Sequence, residues 1–118
     1  MGASGAAAQY NSWKSGTLLT GQSVRTMAEG IATGSAYECT FEALRAGLAD
    51  FVTVSESEIA QGIRDLVRIT HNLPEGAGAA GLAGLRKLAV TLAGTRVGIV
   101  LCGGNLSVAA LAEVMQAG

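Results

Sequence analysis

Residues 50–74, DFVTVSESEIAQGIRDLVRITHNLP, constrain the fold more than any other stretch of the chain. A short apolar run at 51–54 passes directly into Ser55, and Glu58 follows three residues later. A serine hydroxyl can accept the N–H of the third helical residue while the glutamate there accepts the serine's own N–H. That reciprocal pair is a capping box, and it marks a helix start. Ile59, Ile63, Leu66, Val67 and Thr70 then recur at helical spacing. Glu56 and Glu58 fall in the first turn, Arg68 and His71 in the last, which suits the helix dipole at both ends. Pro74 prevents simple continuation. A strand that feeds a helix needs a parallel neighbour, and TRVGIVLC at 95–102 is the other apolar run of strand type. The expected class is α/β and mostly helical, with two principal strands at about 51–54 and 96–101. Two strands make only a partial parallel-sheet domain, because parallel sheets are normally covered on both faces and extended by further strands.

The other elements follow from local signals. Residues 4–15 read as a helix with Ala6, Tyr10 and Trp13 on one face, closed by Gly16. Residues 17–39 read as loop, with room for one helical turn at 24–29. Thr40 is placed to cap a helix carrying Phe41, Leu44 and Leu48. A helix is expected from about 76 to 92, where Gly78, Gly81 and Gly84 would let a neighbouring backbone come close. Each glycine costs a helix about 0.5–1 kcal/mol relative to alanine, so tight packing should compensate. Asn105 or Ser107 caps the last helix, with Val108, Leu111 and Met115 expected inward.

Composition bounds the function. One domain of 118 residues with a net charge of −1 and no Lys/Arg cluster gives little support for nucleic-acid binding. No run of eighteen apolar residues exists, and the start lacks the charged and apolar regions of a signal peptide, so neither a membrane partner nor export is expected. Cys39 and Cys102 fit no metal spacing and are too few for a disulfide framework. They point to a reducing, cytoplasmic setting, and Cys39 reads as a buried thiol. His71 reads as a helix-end residue rather than a base.

The polar turn LCGGN at 101–105 interrupts this apolar pattern. A connection needs one flexible residue, and two adjacent glycines imply that something approaches the backbone. Cys102 by itself fits a small buried hydrophobe. Glu75 by itself fits a carboxylate that favours a helix N-terminus.

TMAEGIA at 26–32, NLPEGAGAAGLAGL at 72–85 and VLCGGN at 100–105, in this order, resemble the C-terminal portion of the serine/threonine ammonia-lyases. These are threonine dehydratase-like enzymes of fold type II that use pyridoxal phosphate. The resemblance covers nearly the whole chain, 1–118, and about the last third of a typical catalytic domain, the upstream part being absent. It implies that Cys102 stands where a Ser or Cys hydrogen-bonds the pyridine nitrogen. A neutral partner there makes a weaker electron sink than a carboxylate would, which favours prompt β-elimination. It also implies that Gly103 and Gly104 keep the turn bare for the ring, that Gly30 lies against a ring face, and that Glu75 borders the pyridine side. The family's Schiff-base lysine and phosphate loop lie upstream of this chain. Lys14 and Lys87, the two lysines here, sit in no such motif. Gly2 and Ala8 occupy the positions where some members bind a divalent cation, so no metal site is expected.

The expectation is therefore a segment that lines a pyridoxal-phosphate pocket but carries no catalytic residue and binds no cofactor alone. The alternative is a stand-alone, non-catalytic module that binds or assembles. Either way the chain should form a homo-oligomer, or join the N-terminal part of the enzyme, because two buried-type strands leave edges to cover.

Overall fold

The computed structural model describes residues 1–117. The fold is α/β and mostly helical, with a two-stranded parallel sheet. Strand β1 is Gly2–Ala3 and β2 is Thr53–Val54, registered Gly2 to Thr53 and Ala3 to Val54. The Ser4 hydroxyl extends the ladder by donating to the Val54 carbonyl at 2.8 Å. Five helices follow in chain order: α1 Ala8–Ser15, α2 Glu38–Gly47, α3 Glu56–Thr70, α4 Gly76–Lys87 and α5 Val108–Gln116. Short 3-10 turns occupy Ser4–Ala6 and Glu29–Ile31.

Helix α3 is the centre of the molecule. Its capping box is formed in both directions: Glu58 N–H donates to the Ser55 hydroxyl at 3.2 Å, and Ser55 N–H donates to Glu58 Oε2 at 2.7 Å. The Ser55 N–H bond, above all, holds the Glu58 carboxyl below its ordinary value, with the Ser55 hydroxyl and Lys87 acting in the same direction. Ile59 and Ile63 are fully buried and pack with Val54, Ala3, Ala79, Ala80 and Ala83. Small residues set the spacing to α4: a Cβ at Gly62 would stand 2.9 Å from the Ala79 carbonyl oxygen. The helix ends at His71, in the left-handed conformation at φ 56°.

A buried polar network joins three helices. Arg64 donates to the Val114 carbonyl at 2.8 Å and to Gln61 Oε1 at 2.6 Å. Gln61 in turn donates to Asp65, which pairs with Arg86 at 2.6 Å. The guanidinium thus meets one carbonyl in the last turn of α5, where the helix dipole favours a cation.

Several expected elements lie elsewhere. Residues 96–101 form no strand; β1 takes the place beside β2. A strand exists only where a neighbour completes its hydrogen bonds, and among the described residues no strand pairs with this segment. It crosses the small-residue face of α4, with Ile99 and Val100 over Gly81 and the Cys102 carbonyl over Gly78. The expected close backbone approach is present at Gly78 only; Gly81 makes ordinary contact with the Ile99 side chain, and Gly84 is pressed by the flexible Met1 side chain. Helix α4 ends at Lys87, not 92; turns follow through Gly94, and Val90 is almost wholly exposed, so no packing prolongs the helix.

Helix α2 starts at Glu38, and Thr40 sits inside it with its hydroxyl bonded to the Tyr37 carbonyl. The expected 4–15 helix breaks at Ala7, which bridges to Thr33, and α1 closes at Gly16 as the sequence implies. Tyr10 and Trp13 both meet Phe51 edge-on. Ser107 caps α5, but Val108 and Met115 face outward and Val114 is the buried residue, held by the Arg64 bond. Cys39 is exposed rather than buried.

The accessible surface is 7004 Å² and the radius of gyration 14.6 Å. A self-contained chain of this mass exposes about 5,900 Å², and one of this length has a radius near 13.5 Å, roughly. The excess has a visible source in the exposed side chains of Val97, Ile99, Val100 and Leu101. Among the described residues, no helix is long and apolar enough to cross a membrane.

Candidate functional site

The site is built where three chain segments converge on one carboxylate. Glu75 is the N-cap of α4, yet its side chain makes no capping bond to that helix. It turns instead to the 102–105 turn, where Oε2 accepts the Asn105 N–H at 3.0 Å. Gly103 lies directly against this carboxyl group, and a Cβ there would overlap it. Gly103 also has φ 74°, so glycine is required on two counts: left-handed backbone and contact with Glu75. From the other side, a Cβ on Gly30 would sit 3.0 Å from Glu75 Oε1 and equally close to the Ala77 Cβ. Gly30 belongs to the Glu29–Ile31 turn, which packs on the start of α4; a Cβ at Gly76 would stand 3.0 Å from the Ala28 Cα.

Four of the five expected residues, Gly30, Glu75, Cys102 and Gly103, thus share one neighbourhood. Gly104 completes the turn with open space on its free side, and its carbonyl accepts the Leu106 N–H at 2.8 Å. Cys102 is anchored through its backbone, which lies on Gly78, and its thiol side is exposed. Two residues that the sequence analysis did not select belong to the same cluster. Asn105 donates through its backbone to Glu75 and through Nδ2 to Glu29 Oε2 at 3.4 Å. The amide in CGGN was a visible signal for the first; nothing local marks Glu29.

The turn offers open backbone at Gly104, an exposed Cys102 and one carboxylate already engaged by an N–H. Among the described residues, no group of three His, Cys, Asp or Glu side chains could hold a metal. Neither lysine is at the turn. Lys14 donates to the Tyr10 hydroxyl at 3.1 Å. Lys87 donates to the Thr53 carbonyl at 2.9 Å, and it lies twelve residues along α4 from Glu75, about 18 Å at the helical rise.

Comparison with known proteins gives the family of the chain. Residues 2–103 match the family model described as "Pyridoxal-phosphate dependent enzyme". An L-threonine ammonia-lyase from Thermotoga maritima is 38% identical over 94 residues, which are 79% of this chain and 23% of that protein. An L-threo-3-hydroxyaspartate ammonia-lyase from Pseudomonas sp is 30% identical over 105 residues, 89% of this chain and 33% of the relative. The processed form of threonine deaminase isoform 2 from Solanum lycopersicum superposes with a TM-score of 0.85 at 26% identity, covering 97% of this chain and 34% of that one. The chain belongs to the fold type II pyridoxal-phosphate-dependent enzymes, is related to the threonine and serine ammonia-lyases, and spans about a third or less of the length of these relatives.

Proposed function

We propose that this chain is the C-terminal portion of a pyridoxal-phosphate-dependent serine/threonine dehydratase-like lyase, in which it forms the pyridine-ring side of the cofactor pocket. The observation that carries the reading is the convergence of Gly30, Glu75 and Gly103 beside Cys102. When bound, the cofactor supplies the electron sink for loss of the α-proton and β-hydroxyl from a serine- or threonine-like substrate. The chain's own residues hold and shape. Gly104 leaves the turn open on its free side, so a ring can reach the backbone there, while Gly103 gives its side to the Glu75 carboxyl group. Cys102 would present its thiol to the ring nitrogen, where it would supply a hydrogen-bond partner. Glu75 fixes the turn through the Asn105 N–H, and Gly30 lets its own turn pack closely on Glu75 and Ala77. None of these groups is placed to attach the cofactor covalently or to move the substrate's protons, so the chain alone is inactive and takes up no cofactor.

The uncovered face around 97–101 is where a second copy or the remainder of a family fold packs, giving a homo-oligomer or a complemented enzyme. Both cysteines are free, in keeping with a cytoplasmic setting. Turnover tests the reading. The isolated chain should form no 2-oxo acid from serine or threonine. Co-expressed with the upstream two-thirds of a related ammonia-lyase, it should bind the cofactor, seen as visible absorbance, and Gly103→Val should remove that absorbance. Activity of the isolated chain that disappears on Lys14→Ala or Lys87→Ala would overturn the proposal.

A further inference from the structure

Glu56 and Glu58 both stand in the first turn of α3, but they do different things. Glu58 closes the capping box with Ser55. Glu56 reaches away from the helix, and its Oε2 accepts the Met27 N–H at 2.7 Å. A bond of that length to a carboxylate is a strong one. The other oxygen, Oε1, is buried and has no hydrogen-bond partner among the described residues. A buried polar atom left unpaired costs stability, so this carboxylate is a poor choice for stability alone and calls for another reason.

Met27 supplies that reason, because it leads into the Glu29–Ile31 turn. From Ala28 to Ile31 the backbone N–H bonds stay within the loop. Ala28 donates to the Thr26 hydroxyl at 3.1 Å, Glu29 to the Met27 carbonyl at 3.1 Å and Ile31 to the Ala28 carbonyl at 3.0 Å. Among the described residues, the Met27 N–H is therefore the backbone donor that ties this stretch to another element. The turn sits tightly on α4: Gly76 abuts Ala28, and Gly30 abuts Glu75 and Ala77. Such approaches need the turn held at a fixed height. Helix α3 is a firm base for this, since Ile59 and Ile63 are fully buried.

We propose that Glu56 is a positioning residue for the cofactor site: from the start of α3 it clamps the Met27 N–H and so seats Gly30 against Glu75. The purpose of the clamp rests on the cofactor reading above; the clamp itself does not.

Amide hydrogen exchange on the full chain tests the clamp. Glu56→Ala should speed exchange at Ile31 about tenfold or more, the loss expected for a hydrogen bond to a charged group. It should also move the amide shifts of Gly30 and Gly103, while the thermal midpoint falls by no more than about 4 °C. Glu56→Gln, which still offers an oxygen to the Met27 N–H, should keep most of the protection. Glu58→Ala should lower the midpoint more and leave Ile31 exchange unchanged. Unchanged exchange in Glu56→Ala, no rescue by Glu56→Gln, or the same pattern in Glu58→Ala would each overturn the clamp. In the co-expressed complex, Glu56→Ala should lower cofactor absorbance at limiting cofactor. Absorbance that Glu56→Ala leaves intact would overturn the link from clamp to site, whereas its absence with the unmutated chain would overturn the cofactor reading instead.

Discussion

Two apolar stretches of this chain meet opposite fates. The stretch from Phe51 through Leu66 is closed: Val54, Ile59 and Ile63 are fully buried, and each has a partner element. The stretch from Val97 through Leu101 is as apolar but open, with every residue exposed and no ladder. Intrinsic preference does not separate them, since both are rich in β-branched residues. The supply of neighbours does. β2 has β1 on one side and helices against it, whereas 96–101 rests on one face of α4. Burial is a property of what surrounds a segment, and this chain spans about a third or less of the length of its relatives.

The largest effect should come from the closed half. Ile63→Ala removes a fully buried side chain between α3 and α4 and should cost about 2–5 kcal/mol in urea unfolding. A loss below about 1 kcal/mol would mean that this core is as loosely held as the open half.

Glycine pairs sharpen the contrast. Gly62→Ala drives a Cβ toward the Ala79 carbonyl inside a packed helix pair, and should cost about 1–3 kcal/mol. Gly78→Ala creates a closer overlap, with the Cys102 carbonyl, yet the segment that carries it has no ladder and can lift away. Its cost should stay under about 1 kcal/mol, with the damage appearing instead as changed amide shifts at Gly103 and Asn105. Equal costs for the two would contradict the division.

The entry to α3 gives the next smaller effect. Ser55→Ala should cost about 1 kcal/mol. The Glu58 carboxyl titrates lower in the folded chain than in the unfolded one, so its contribution is complete above its ordinary value of 4.5 and is lost as the pH falls through the lower folded value. The acid-unfolding curve of Glu58→Gln should therefore be flatter in that window and parallel to wild type near neutrality. A difference confined to neutral pH would rule out the capping bond as the cause.

What the sequence revealed divides along the same line. The capping box, the stop at Gly16 and the small-residue face of α4 are local or involve adjacent helices, and they are where the pattern places them. Gly2–Ala3 was not legible as a strand, because two small residues carry no period. The 96–101 run has the composition of a strand but no neighbour, and composition cannot reveal that. On α5 Leu111 packs against the core as its spacing implies, whereas Val108 and Met115 are exposed and Val114 is buried, beside a bond from Arg64 fifty positions away that no local pattern reveals. The glycines of the site were readable from CGGN and AEG, whereas Glu29 joins only through the folded position of Asn105.

Association tests the open face most directly. Val100 is 77% exposed, so Val100→Asp should change the stability of the single chain by no more than about 0.5 kcal/mol. Sedimentation equilibrium at micromolar concentration should show the wild-type chain as a dimer or larger, and Val100→Asp shifted toward monomer with its unfolding midpoint retained. A wild-type chain that sediments as a monodisperse monomer and unfolds cooperatively would contradict the account, since it would close its core without a partner.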